Sequence, residues 1–379
     1  MNADRPATEA LVDRVRARLV SAPAGTDPVT DAVRAESAGI VDDTVFERLR
    51  RDVEADLVGA GPLEPLLAVP GVTDVLVNAP DSVWVDDGEG LRRAAVVFSG
   101  EPAVRALAQR LAAAAGRRLD DALPFVDAVL PDGTRLHAVL PPIVPATTLS
   151  LRVLARRPLS LAALVGLGAM PAAIADLLRA VVAARLAFVV TGGTGTGKTT
   201  LLGALLGEVA PRDRLLLIED APELVVDHPH VVRLVTRGAN IEGAGAVGLR
   251  DLVRQALRMR PDRLVVGEFR GAEMVELLVA LNTGHDGSAG TLHANSAPDV
   301  PARFTALGAL AGLPGDAVTS LVASAVDLVV HLRRDRAGRR CLAEIGLLDR
   351  AGDGLAVEPA WTAGAGDGPA AARLSGLLT

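Results

Sequence analysis

Residues 186–200 read LAFVVTGGTGTGKTT. An apolar run of strand character meets a glycine-rich turn, and the residues after the turn, TTLLGALLGEVA, have the composition of a helix. Gly192, Gly197, Lys198 and Thr199 fit the pattern G-x-x-x-x-G-K-[ST] at the strand-to-helix junction that it requires. Glycine is needed there because the loop folds around an anion with its backbone N–H groups turned inward, and a Cβ would obstruct both the turn and the approach. The helix that follows directs its N-terminus at the phosphates. Lys198 is expected to reach the β- and γ-phosphates of ATP, and the Thr199 hydroxyl to ligate Mg2+. Gly193, Thr194, Gly195 and Thr196 within the loop, and Thr200 behind it, complete the expected nucleotide-contacting stretch. Lys198 is also the only lysine among 39 basic residues. A wide planar guanidinium would not replace its compact ammonium in such a loop.

Outward from this stretch, apolar strands alternate with helices. RLLLIED (214–220), HVVRLVT (230–236), RLVVGEF (263–269) and GTLHA (290–294) read as strands, and LRDLVRQALRM (249–259) and AEMVELLVALNTG (272–284) as helices. That alternation predicts an α/β domain over 172–350 with a mainly parallel sheet covered on both faces. Residues 156–171 carry two prolines and two glycines and read as a linker. Before it, 61–155 reads as a smaller mixed α/β domain. VTDVLVN (72–78), SVWVDD (82–87), RRAAVVF (92–98) and TLSLRVL (148–154) are its strands, EPAVRALAQRLAAAAG (101–116) its helix, and FVDAVLPDGTRLHAVLPP (125–142) a hairpin. Residues 1–60 show helical spacing, with Leu11, Val15 and Leu19 on one face and Val45, Phe46, Leu49 and Val53 on another. The Ala/Gly-rich residues 351–379 read as a flexible tail.

A phosphate-binding loop names no reaction, so the acidic residues around it matter. Glu268 in VVGEFRG stands at the C-terminal end of an apolar strand, where ligands bind in open α/β sheets. IEDAPEL offers Glu219, Asp220 and Glu223 at the end of the strand after the loop's helix, and one of them is expected to position or deprotonate the attacking water. The competing role for Asp220 is a helix cap. His285 and His293 in TGHDGSAGTLHANS lie on a loop and the next strand, placed to sense a phosphate or relay its state to a subunit contact.

GGTGTGKTT, IEDAPEL, LRMRPDRLVVGEFRG and TGHDGSAGTLHANS, in that order, resemble the Walker A, Asp box, Walker B and His box of the type II/type IV secretion ATPase superfamily. The likeness is closest to its tight-adherence (Flp) pilus assembly branch, and VTDVLVNAPDSVWV and DGTRLHAVLPP resemble that branch's N-terminal domain. The resemblance implies a RecA-like P-loop ATPase domain preceded by a PAS-like domain and a helical extension, assembled as a homo-oligomeric, hexameric ring. It implies that Glu268 holds Mg2+ through water and that Glu223, with Glu219 second, is the Asp-box carboxylate acting on water. His285 and His293 would be the His-box residues. Arg135 and Arg152 match arginines that the family's N-terminal domain points at the nucleotide. Phe269 replaces an expected β-branched residue, a change of packing.

Composition narrows the partners. The net charge of −7, with 2% aromatics and no tyrosine, gives neither a basic footprint nor stacking platforms, so direct nucleic-acid contact is not expected. One cysteine, Cys341, supplies no disulfide and no paired-cysteine zinc site. The start has no signal-peptide pattern, and the uncharged stretch 159–175 is short for a membrane span. The expected location is the cytoplasm, peripherally on the inner face of the cell membrane against a platform protein of a pilus or secretion apparatus. The competing functions are a conjugation-type ATPase for DNA transfer, a nucleotide-gated scaffold without turnover, and a small-molecule kinase.

Overall fold

The computed structural model describes residues 14–15, 17–18, 28–36, 43–57, 59–88, 90–153, 158–238, 244–282, 284–352 and 354–379. The chain divides into two units, Met1–Leu154 and Ala155–Thr379.

In the first unit, helices α1 (Pro28–Glu36) and α2 (Asp43–Leu57) close a small cluster of Val15, Ala32, Val33 and Val53. The expected helical faces are thus seen in part, with Leu11 and Leu19 outside the described residues. Behind them stands a six-stranded antiparallel sheet of order β3-β2-β1-β6-β5-β4. Its strands are β1 (Asp74–Ala79), β2 (Ser82–Asp86), β3 (Leu91–Arg93), β4 (Phe125–Val129), β5 (Arg135–Val139) and β6 (Thr148–Arg152). Alternate residues, Val75 and Val77, Val83 and Val85, Leu149 and Leu151, point inward, as the two-residue period of a one-sided sheet demands. Helix α3 (Glu101–Ala114) covers that face with Val104, Leu107 and Leu111. The strand expected at 92–98 pairs only over Leu91–Arg93. Beyond Arg93 the chain leaves the edge and sends Phe98 into the core.

The second unit is built on a nine-stranded sheet of order β15-β14-β13-β12-β7-β11-β10-β8-β9. Strands β7 (Phe188–Gly192), β8 (Leu215–Glu219), β9 (Val231–Val235), β10 (Arg263–Phe269), β11 (Ala289–His293) and β12 (Leu328–Arg334) run parallel. β13 (Arg340–Ala351), β14 (Gly354–Thr362) and β15 (Gly366–Asp367) continue beyond β12 as an antiparallel meander. Every residue of β7 and β8 is buried, and successive side chains go to opposite cores. Phe188, Val190, Leu215 and Leu217 pack with α4 (Leu161–Gly166), α5 (Ala172–Ala183) and α6 (Lys198–Leu206). Val189, Leu216 and Ile218 pack with α7 (Leu249–Ala256), α8 (Glu273–Leu281), α9 (Val300–Leu310) and α10 (Gly315–Ala325). Each such buried Leu, Ile or Phe contributes about 1.5–3 kcal/mol, which pins the register of the strands whose C-terminal ends carry the motifs.

Two expected boundaries are corrected. The stretch 156–171 is not a free linker over its described part. The Ser160 hydroxyl caps α4, accepting from Ala163 N at 3.1 Å, and Leu161, Leu164 and Met170 enter the second unit's core. Residues 351–379 are not a tail over their described part. They form β14, β15 and α11 (Ala371–Leu377), and bury Trp361, Ala370 and Leu374. Small residues allow the close fit: a Cβ on Gly368 would meet Pro359 O at 2.3 Å, and one on Gly346 would meet Val357 Cγ1 at 2.4 Å.

Candidate functional site

The loop of residues 192–197 joins β7 to α6 at the C-terminal edge of the parallel strands. Among the described residues, the backbone N–H groups of Thr194, Gly195, Thr196 and Gly197 donate to no protein acceptor, which leaves them as donors for an anion. Gly192 cannot be replaced without displacing backbone, because a Cβ would lie 2.5 Å from Leu332 O on β12. Gly197 caps α6 in the left-handed region at φ 95°. Thr196 is buried and its hydroxyl donates to Gly193 O at 2.9 Å, fixing the loop across its own width. Lys198 Nζ folds back over the loop and donates to Gly192 O and Gly193 O, each at 3.0 Å. Thr199 and Thr200 lie half-buried in the first turn of α6.

Three further strands end beside this loop. In the register of β11 on β7, His293 sits opposite Gly192. Thr291, two residues before it, donates its hydroxyl to Gly267 O on β10 at 2.6 Å. Glu268, next along β10, is held by Arg270, whose Nε lies 2.7 Å from Oε2 and whose Nη2 makes a second contact. Arg270 Nη1 also lies 3.7 Å from Asp220 Oδ2, so this arginine links the ends of β10 and β8. Sequence reasoning missed Arg270; its signal was its place two residues after Glu268 in GEFRG.

Glu219 and Glu223 differ sharply in setting. Glu219 is 2% exposed and lies against β10, where only Gly267 leaves room: a Cβ there would be 3.0 Å from Glu219 Cγ. Its Oε1 accepts from Glu223 N at 2.9 Å and Leu224 N at 2.7 Å, and Arg233 Nε lies 3.0 Å from Oε2. Burial pushes its carboxyl above the usual range, against the pull of those N–H groups and of Arg233. Glu219 therefore organises the turn that carries Glu223, which is half-buried.

His331, also missed, is 5% exposed on β12 beside the loop's strand, its Nδ1 2.9 Å from Thr191 Oγ1. Burial holds its pKa below the ordinary 6.5, helped by Arg333 and Lys198 and opposed by a hydrogen bond to the Asn295 backbone and by Asp299. The imidazole thus joins the residue before Gly192 to the segment after His293. Only burial in a run that reads as pure strand, LVVHLRR, could have hinted at it.

His285 does not join this group. It precedes β11, at the N-terminal edge of the sheet, where its Nδ1 lies 3.0 Å from Ala280 O. The five residues of β11, at about 3.3 Å each, separate that edge from the loop. Parallel strands gather their ligands at one end, and His285 is at the other. Arg135 and Arg152 lie in the first unit, directly opposite one another in the β5–β6 register, with Arg152 Nε 3.9 Å from Asp74 Oδ1.

The arrangement can bind a polyphosphate anion and bring carboxylates to it. The Thr199 hydroxyl and Glu268 are oxygen donors of the kind that suits Mg2+, which takes few protein ligands beside phosphate and water. Among the described residues no group of three or more His, Cys, Asp or Glu forms a protein-only metal cage.

An anion cradle on a twisted parallel sheet, with acidic strand ends beside it, defines a P-loop nucleotide-binding protein. Residues 56–356 match the family of type II/IV secretion system proteins, and the chain belongs to that family. It is 58% identical over 335 residues to a Mycobacterium tuberculosis protein named for conjugal transfer, covering 86% of this chain and 95% of that one. The type IV secretion system protein PtlH of Bordetella pertussis is 35% identical over 308 residues, covering 73% of this chain and 89% of PtlH. In fold, the chain is similar to the ATPase DotB of Legionella pneumophila, with a TM-score of 0.53 at 20% identity over 80% of each chain. Among the described residues no helix is long and apolar enough to cross a membrane.

Proposed function

We propose that this chain is a Mg2+-dependent ATP hydrolase that works as a RecA-like motor of a secretion or pilus machine, assembled as a hexameric ring against a membrane platform protein. The supporting observation is the loop 192–197, with its unbonded N–H groups and Lys198, placed on the side of the sheet edge where β10 and β8 end at Glu268 and the Glu219–Glu223 turn. In this reading the loop N–H groups and Lys198 hold the phosphates. Glu223, set by Glu219, orients and deprotonates the attacking water. Mg2+, bound by Thr199 and through water by Glu268, would neutralise charge developing on the leaving phosphates. Arg270 would give up Glu268 for that role and remain near the transferred phosphoryl group. Arg135 and Arg152 are proposed as nucleotide-facing arginines on the motif likeness alone. His293 is proposed to read the phosphate's presence from beside Gly192. His285 is assigned only to a subunit contact.

Two cargoes fit the family. The motifs resemble the tight-adherence pilus branch, whereas the relatives at 58% and 35% identity carry names for conjugal transfer and type IV secretion. A net charge of −7 favours a motor that pushes protein subunits over one that grips DNA itself. Steady-state phosphate release tests the hydrolase reading, and none above a Lys198→Ala control would return the chain to a nucleotide-gated scaffold. Deletion of the gene then separates the cargoes: loss of surface pili with DNA transfer intact supports the first, the reverse the second.

A further inference from the structure

The other side of the loop carries a feature that the motifs do not describe. β12 and β13 meet in a hairpin of sequence RRDRAGRR (333–340), and the β12–β13 register sets Arg334 directly opposite Arg340. Two guanidinium groups facing each other across a strand pair repel. Both nevertheless converge on the apex of the phosphate loop. Arg340 Nε donates to Gly195 O at 3.0 Å, and Arg334 Nη2 lies 3.3 Å from where a Cβ on Gly195 would stand. Among the described residues no carboxylate pairs with Arg334. The hairpin itself is rigid at its turn: Asp335 accepts from Ala337 N and Arg339 N, each at 2.9 Å, and Gly338 takes a φ of 80°. The arginines are therefore held in place before anything binds.

Topology says which end of a nucleotide they would meet. β11, β10 and β8, with Glu268 and the Glu219–Glu223 turn, lie on one side of β7, and β12 and β13 on the other. A γ-phosphate turned to the carboxylates sends the α-phosphate and the base toward the hairpin. The base also gains from a planar partner, and the second unit exposes no phenylalanine, tryptophan or tyrosine ring: Phe188, Phe269, Phe304 and Trp361 are all buried in its cores, and the chain has no tyrosine. Exposed guanidinium planes can serve, since arginine both stacks on rings and binds phosphate.

We propose that Arg334 and Arg340 form a clasp for the nucleoside end of the bound nucleotide, one guanidinium on the α-phosphate and the other stacked on the base. The proposal rests on the nucleotide-site reading of the loop. The test compares wild type with Arg334→Gln, Arg340→Gln and the double variant in binding of ATP, ADP and inorganic tripolyphosphate, alongside kcat and KM. The expected result is affinity for ATP and ADP weakened about tenfold per arginine, with tripolyphosphate binding weakened in only one of the two single variants, that of the arginine on the α-phosphate. Tripolyphosphate weakened as much as ATP in both single variants would overturn the clasp in favour of a general anion attraction. A fall in kcat with ADP affinity unchanged would overturn it in favour of a γ-phosphate role. Arg340 also braces Gly195, so a drop in melting temperature confined to its variant marks that brace, and Arg334→Gln then decides. Wild-type protein that binds neither ATP nor ADP would overturn the nucleotide reading and the clasp with it. Normal wild-type binding matched by all variants would overturn the clasp alone.

Discussion

The two flanks of β7 are built from opposite charges. Toward β11, β10 and β8 the strand ends carry Glu268, Asp220, Glu219 and Glu223, threaded by Arg270 and Arg233. Toward β12 and β13 they carry Arg333, Arg334, Arg339 and Arg340 and the buried His331. The phosphate loop stands between the two. The difference between its flanks gives the site a direction, with reaction on the acidic side and retention on the basic side. Substitutions on the two sides should therefore fail differently.

The largest effect belongs to the residue both sides share. Lys198→Ala should lower kcat/KM for ATP at least about 10^3-fold, and Lys198→Arg should lose most of the activity as well, read by phosphate release. Glu268→Gln comes next: kcat should fall about 10^2–10^3-fold while nucleotide affinity stays within a few-fold, a split that places the loss in the chemical step. If affinity collapsed too, the acidic flank would be a binding element and the contrast would break.

Glu223→Gln and Glu219→Gln sharpen the acidic side from within. The first should cost about 10^2-fold in kcat with the melting temperature unchanged. The second should cost stability as well, about 1–2 kcal/mol, because a buried amide cannot accept from two N–H groups and satisfy Arg233 as the carboxylate does. A stable but inactive Glu219→Gln beside an active Glu223→Gln would reverse their roles.

The smallest effect is on the basic side. The His331 imidazole is harder to protonate in the fold than at the ordinary 6.5, so the unfolded chain takes up a proton first as pH falls. Its contribution is complete above pH 6.5 and is lost on acidification below it. Thermal melts across that range should show a shallower acid loss in His331→Leu than in wild type. Parallel slopes would remove His331 from the account of pH sensitivity.

Much of the acidic flank was legible in the sequence and almost none of the basic flank. Lys198 opens the helix after a glycine turn and Glu268 stands near a strand end, and local spacing announces such positions. Glu219 and Glu223 were both visible, but their difference lies in burial against Gly267, a contact between strands 48 residues apart in the chain. Arg334 and Arg340 meet the loop only because β12 pairs with β7 across about 140 residues, and an arginine in a chain with 38 of them carries no local signal. The alternating strands and helices of the second unit could be read from period alone. Its last two strands and helix could not, since their buried Val357, Ala360, Trp361, Ala370 and Leu374 are scattered among alanine and glycine, and composition of that kind reads as tail. His285 was misplaced for the complementary reason: neighbours in sequence on either side of a strand lie at opposite edges of the sheet.

The nine-stranded sheet stops at a strand of two residues. β15 pairs with Trp361 and Thr362 of β14, and beyond it the chain turns into a short helix whose Leu374 packs inward. That brief strand and helix act as a selvedge on the nine residues of β14, whose outer backbone would otherwise invite another chain. Trimming the protein after Thr362 should thus leave the nucleotide loop intact and still yield a sticky molecule. For anyone shortening this chain for expression, the Ala/Gly-rich ending is the part to keep.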